Sequence, residues 1–216
     1  MGKLDLITII IIAANVIISY KGFGDYGFFE RYKFNVGAVK RGEQIRLFSS
    51  GFLHADTAHL FFNMFTLYFF ADVVIAHFGP VQFLIIYGIS LLGGSLLALM
   101  FHKDEPFYSA VGASGAVTGI LYAAILLEPS MRLGIMFIPI PLPAYVIGIG
   151  YLVYSIYGMK NRVGNIGHTA HIGGAIGGYV VTLLFRPDLL VTETLMVILL
   201  ALPIIILFIL IKAGKI

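Results

Sequence analysis

The chain has 216 residues, of which 59% are apolar and only 12% are charged, about half the charged share of an ordinary water-soluble domain. A mean hydropathy of +0.97 and a pI near 9.0, the latter resting on only 14 Lys and Arg against 11 Asp and Glu, place it in the polytopic membrane class. Disorder and a nucleic-acid-binding face are excluded. The absence of Cys removes disulfides, thiolate metal sites and cysteine nucleophiles together.

Stretches long enough to cross roughly 30 Å of hydrocarbon at about 1.5 Å per residue occur, in chain order, at Leu4–Tyr20, Leu60–Phe78, Val81–Phe101, Ala110–Leu127, Leu133–Tyr157, Thr169–Phe185 and Leu195–Ile211. This predicts one all-α transmembrane domain over residues 1–216. The first segment reads as a retained helix, because Gly and aromatic residues follow it where a cleavable signal has small ones. Between Lys21 and Ala58 lies a long loop carrying Phe23, Tyr26, Phe28, Phe29, Tyr32, Phe34, Phe48 and Phe52. Such aromatic density predicts a loop lying in the membrane interface, with a small extramembrane subdomain as the alternative. The fifth segment contains Pro139, Pro141 and Pro143 on alternate positions, which removes three backbone donors and predicts a bent or broken helix. Eleven of the 14 Lys and Arg fall in connectors on one side, six of them in the long loop. Charge bias alone would put that side in the cytoplasm.

Polar side chains are costly inside hydrocarbon, so those found there are candidates for function. His59 and Asn63, four apart, project from one face of the second segment. Ser114 lies in Val111-Gly112-Ala113-Ser114-Gly115, where glycines allow close backbone approach and a starting helix offers unpaired N–H groups. His171 opens the sixth segment, and Gly174 with Gly178 forms a small-residue face on which another helix can pack. A hydroxyl, a base and spare donors are the parts of acyl transfer. Taken singly, each residue has a packing explanation, and it is their joint occurrence that points to chemistry.

The combination His54-x4-His59-x3-Asn63, Gly112-x-Ser114-Gly115 and Ala170-His171-x2-Gly174-x3-Gly178, on the second, fourth and sixth segments, resembles the rhomboid family of intramembrane serine proteases. The motifs fall within residues 43–186. The resemblance implies a rhomboid-like bundle of six core transmembrane helices, with the segment at about 195–211 as an extra C-terminal seventh. It implies Ser114 as nucleophile and His171 as general base. His59, Asn63 and the Ser114 backbone N–H would form an oxyanion site, Gly112 and Gly115 would flank it, and His54, Gly174 and Gly178 would support it. No carboxylate stands beside these residues, so the unit would be a Ser-His dyad with no metal or organic cofactor. The implied partners are the lipid bilayer and transmembrane segments of other membrane proteins, without nucleic acid, in the cell membrane. The family also has its N-terminus in the cytoplasm, opposite to the charge count, and we follow the family.

Two positions depart from the family pattern. The loop commonly carries Trp-Arg, and here the pair is Ile45-Arg46. Four residues after the serine many relatives have an aromatic that stacks on the catalytic imidazole, where this chain has Thr118, so other neighbours must hold His171. In the family the fifth helix borders the route by which a substrate helix arrives, and a broken helix there would gate it; a break without a gating role is the alternative. The Gly22-x-Gly24-Asp25 match to intramembrane aspartyl proteases is set aside, since Asp25 follows the first segment and lacks a second carboxylate to share a proton. His168 and His171 lack a carboxylate or thiolate to complete a metal set. A client-binding protein without proteolysis and a small-molecule transporter remain as alternative functions.

Overall fold

The computed structural model describes residues 5–135, 138–164 and 166–216. Helix α1 spans Leu6–Gly24 and starts from Asp5, whose carboxylate accepts the Ile7 N–H at 2.9 Å; the expected start at Leu4 lies outside the described residues. Lys21 pairs with Asp25 at 2.9 Å one turn on, and the helix runs to Gly24, past the expected end at Tyr20. Asp25 then caps α2 (Tyr26–Tyr32) by accepting from the Phe28 N–H at 2.9 Å. The Gly-x-Gly-Asp stretch is thus a helix exit.

The long loop is folded. After α2 come β1 (Phe34–Asn35), α3 (Val36–Lys40), α4 (Arg46–Ser49) and a 3₁₀ turn at Ser50–Phe52. Phe34, Val36 and Val39 are buried together with Ala98 in a small core of their own, while Tyr26 and Phe48 are exposed. The aromatic residues therefore divide between a packed interior and an outer face, which fits the subdomain alternative as well as an interfacial loop. Arg46 ties the loop down. Its guanidinium donates to the Glu30 carbonyl at 2.7 Å, the Lys33 carbonyl at 2.9 Å and the Glu43 carboxylate at 2.8 Å. Ile45, at the place of the family's Trp, stays exposed, so the arginine does the anchoring without it.

The remaining helices are α5 (Thr57–Phe78), α6 (Pro80–Phe101), α7 (Ser114–Leu127), α8 (Ala144–Asn161), α9 (His168–Phe185), the short α10 (Leu189–Thr192) and α11 (Thr194–Lys212). Among the described residues, four helices, α1, α5, α6 and α11, are long and apolar enough to cross a membrane by length and composition. A two-residue strand β2 (Ser109–Ala110) pairs antiparallel with β1 and ties the folded loop to the start of α7. Within the fifth predicted segment, β3 (Arg132–Ile135) pairs antiparallel with β4 (Ile138–Pro143). The three prolines thus lie in extended backbone, which their fixed φ suits, and helix resumes only at Ala144. Met136 and Phe137 of this segment lie outside the described residues.

The core is helix on helix. α7 is buried along almost its whole length, wrapped by α5, α6, α8 and α9. Small residues let backbones approach: a Cβ on Gly177 of α9 would stand 2.9 Å from Ser90 Cα of α6, and one on Gly174 or Gly178 would run into the backbone of α7 at Gly115 or Gly119. This is an all-α fold whose central helix is 14 residues long. At about 1.5 Å per residue it spans roughly 21 Å, less than the roughly 30 Å of a hydrocarbon core.

Candidate active site

Ser114 is the first residue of α7 and His171 lies in the first turn of α9. The glycine contact between these helices brings the two side chains together: His171 Nε2 and Ser114 Oγ are 2.8 Å apart. His171 is buried, and its other ring nitrogen, Nδ1, meets the hydroxyl of Tyr151 from α8 at 2.9 Å. The two rings also stack, with centroids 5.2 Å apart and planes 28° off parallel. Tyr151 is the residue that sequence reasoning missed. The missing aromatic at Thr118 was the signal, because an imidazole without that neighbour needs another.

Across the site, Gly112 has a φ of +126°, which L side chains rarely adopt. A Cβ there would also stand 2.7 Å from His59 Cε1 and 2.8 Å from His59 Nε2. The position needs glycine on both counts. Asn63 is buried on the same face of α5, and its amide nitrogen has no hydrogen-bond partner among the described residues. An amide left so costs about 1–3 kcal/mol unless something else, such as water or a ligand, takes its protons. Gly115 serves packing: a Cβ on it would meet the Ala170 carbonyl of α9 at 3.1 Å.

His54 supports the turn from below. Ser19 of α1 donates its hydroxyl proton to the Phe52 carbonyl at 3.0 Å, so at 2.8 Å from His54 Nδ1 it can only accept. That puts the imidazole proton on Nδ1 and leaves Nε2 to accept the Ala113 N–H at 3.4 Å. Burial, with His59 nearby, pushes the His54 imidazole down to about 3, which keeps it neutral in this role. The Gly112 N–H is likewise engaged, by the Ser50 carbonyl at 3.0 Å. The Ser114 N–H belongs to the first helical turn and has no intrahelical acceptor.

Ser114, His171, His59, Asn63 and Tyr151 line one open cavity of about 890 Å³, together with Tyr108 and Asp56 from its rim. A second, more apolar cavity of about 340 Å³ continues from Ser114 between α5 and α8, past Phe62, Thr118 and Leu133. The N-terminus of the short α7, and hence Ser114, lines both cavities. His168, three residues before His171, turns its Nε2 to the Val163 carbonyl at 3.0 Å. Among the described residues no three His, Asp or Glu side chains are grouped as a metal would require.

Residues 41–188 match the family model described as the rhomboid domain. The chain is 31% identical over 187 residues to the RHOMBOID-like protein 12, mitochondrial, of Arabidopsis thaliana, covering 79% of this chain and 55% of that protein. It is 29% identical to Rhomboid protein 1, mitochondrial, of Saccharomyces cerevisiae over 62% of this chain and 40% of the relative. It is 34% identical to the Rhomboid protease GluP of Bacillus subtilis over 65% of this chain and 26% of the relative. The chain thus spans about half or less of the length of these three relatives. Two of them are named mitochondrial and one is bacterial, so the family carries multi-pass membrane residence but no cell-membrane address. The domain match extends over more than half of the chain and includes all three sequence motifs: this protein belongs to the rhomboid family.

Proposed function

We propose that the protein is an intramembrane serine endopeptidase that hydrolyses peptide bonds in or near transmembrane segments of other membrane proteins by a Ser114–His171 dyad. The observation that carries this reading is the 2.8 Å contact between His171 Nε2 and Ser114 Oγ, both lining one open cavity. In the reaction, His171 takes the hydroxyl proton as Ser114 Oγ attacks the scissile carbonyl carbon. The negative charge that develops on the carbonyl oxygen is met by the Ser114 N–H, the unpartnered Asn63 amide and the His59 ring. Collapse of the tetrahedral intermediate expels the amine, which receives the proton from His171 and leaves an acyl ester on Ser114. Water, activated by the same imidazole, attacks the ester and regenerates the serine.

Polar His59, Asn63, Ser114 and His171 beside apolar Leu121, Leu133 and Ile147 suit a substrate that is itself a membrane segment. A scissile peptide must leave helical geometry to present its carbonyl to Ser114, so residues of low helix propensity near the cut favour cleavage. Purified protein in detergent should cleave a reporter transmembrane substrate, and a fluorophosphonate should modify Ser114 among all serines. Ser114→Ala should abolish both, and His171→Ala should lower both by orders of magnitude, with melting temperatures close to wild type. A folded Ser114→Ala protein that still cleaves membrane substrates would overturn the proposal. Binding of membrane clients without any turnover by the wild-type protein would instead favour the client-binding alternative.

A further inference from the structure

α5 presents a polar stripe to the cavity. Asp56, His59 and Asn63, at spacings of three and four, fall on one side of that helix, and all three line the same cavity as Ser114. Burial deepens along the stripe, from exposed Asp56 through half-buried His59 to buried Asn63. At about 1.5 Å of rise per residue, Asp56 stands roughly 4–5 Å beyond His59 and roughly 10 Å beyond Asn63 along the helix axis. That is about one to three residues of extended chain, at roughly 3.3 Å each, from where His59 and Asn63 would meet the carbonyl oxygen of a bound peptide. In the fold itself Asp56 is the N-cap of α5, and its Oδ1 accepts the His59 N–H at 2.8 Å. Ser, Thr or Asn would cap as well, so capping accounts for the shape of the residue and not for its charge.

Lys33 and Asp56 are the charged side chains that line the cavity among the described residues. Lys33 is paired with Glu30 at 2.6 Å, and two further cations of the preceding loop, Lys21 and Arg46, are paired with Asp25 and Glu43. Asp56 forms no ion pair among the described residues. The cavity therefore carries one uncompensated negative charge, a single helical turn from His59. We propose that Asp56 is a specificity-determining residue: it selects substrates with a lysine or arginine close to the scissile bond and disfavours those with an acidic residue there. In open water an exposed carboxylate attracts a cation only weakly. A substrate segment that fills the cavity displaces the water around it, and the same charge then discriminates more in a medium of lower dielectric. Lysine and arginine suit the end of a membrane segment, because their aliphatic stems lie along apolar surface while the charge reaches a polar group. The cavity wall offers Phe29 and Phe62 to such a stem.

This specificity rests on the proposed protease reading, and its test keeps the two apart. Reporter transmembrane substrates that differ only in Lys, Gln or Glu, placed in turn at each position near the cut, are compared by kcat/KM in an uncharged detergent at low salt. At one or more positions wild type should prefer Lys to Glu by about tenfold, each charge contributing up to about fivefold against Gln. Salt at about 1 M, where the screening length is about 3 Å, should remove most of that preference. Asp56→Asn and Asp56→Ser both keep a capping oxygen, and in each the Lys-to-Glu ratio should fall to near one. The ratio is the readout because a cap weakened beneath His59 would slow every reporter alike. A wild-type ratio near one at every position, or a ratio that persists in both variants, would overturn the assignment. The same reporters, fluorescently labelled, are also bound to Ser114→Ala protein, which needs no turnover. Tighter binding of the Lys reporter that is lost on adding Asp56→Asn, in a protein whose wild type cleaves nothing, would support the assignment and count against the protease reading alone; equal binding of the Lys and Glu reporters there would overturn both.

Discussion

α8 and α9 both pack on α7, and both reach the site, α8 with Tyr151 and Tyr154 and α9 with His171, but they are seated differently. α9 meets α7 backbone to backbone. At Gly174 and Gly178 there is no room for a single methyl group, and what stands in the way is the main chain of Gly115 and Gly119. α8 meets α7 through side chains: its Gly148 faces the end of Ile125, and its carbonyl there accepts the Tyr122 hydroxyl at 3.2 Å. Main chain in a helix cannot yield without breaking hydrogen bonds, whereas a side-chain tip can change rotamer. The group proposed to take the proton, His171, is thus on the unyielding partner. The group that stacks on it and meets its Nδ1, Tyr151, is on the partner that can shift by small amounts, and the proline-bearing strand β4 leads directly into that helix.

The largest effect should come from filling the backbone seam. In Gly174→Ala the new methyl meets the Gly115 backbone, and no rotamer change relieves it. Overpacking a tight core costs about 1–3 kcal/mol and sometimes more; here α9 must move off α7, carrying His171 away from Ser114. Loss of the cooperative melt in detergent, or a strongly lowered melting temperature with no fluorophosphonate labelling, is the expected outcome. A variant that melts and labels like wild type would show that the seam yields after all.

That seam was legible in the sequence because spacing by four on a helix is enough to define a face, and small residues on such a face admit close packing whatever their neighbours. His59 and Asn63 were legible on the same ground. The rough positions of the long apolar helices among the described residues also followed from hydropathy, since length and apolarity are local properties. The start of α8 did not, because the apolar run continues through Leu133–Pro143 while the prolines turn that part into a strand. Nor did Tyr151, which is 20 residues from His171 and reaches it only through the way α8 is laid against α9. Arg46 shows the reverse case: the motif position was visible, and the missing Trp beside it turned out to matter less than the three carbonyl and carboxylate partners gathered by the fold.

A smaller effect is expected on the opposite wall of the cavity, where Asn63 contributes an amide and no packing constraint on α7. Loss of one oxyanion donor typically costs about 10²- to 10³-fold in kcat. Asn63→Ala should lose turnover on that scale and keep its melting temperature within a few degrees, because the amide it removes has no protein partner to leave unsatisfied. Steady-state cleavage of the reporter substrate, run beside a melt, measures both. Unchanged turnover in the folded variant would remove Asn63 from the oxyanion site and leave its orphaned amide to be explained by a bound water.

The smallest effect should be at Gly148, the counterpart of Gly174 on the side-chain seam. A Cβ there would stand 2.7 Å from Ile125 Cδ1 and 3.8 Å from Tyr122 Cε2, so the only close contact is with the far end of a flexible side chain. Ile125 is fully buried, and rotating it costs something, but replacing Gly by Ala inside a helix recovers roughly 0.5–1 kcal/mol of propensity. The two terms oppose each other at similar size. Gly148→Ala should therefore shift the melting temperature by only a few degrees in either direction and keep fluorophosphonate labelling within a few-fold of wild type. Gly150, two residues on and on another face of the same helix, with nothing within 4 Å of its would-be Cβ, is the control: Gly150→Ala keeps the propensity gain and omits the collision. The difference between these two variants isolates what the Ile125 contact costs, and a collapse of Gly148→Ala as complete as that of Gly174→Ala would mean that α8 is seated on α7 as rigidly as α9 is.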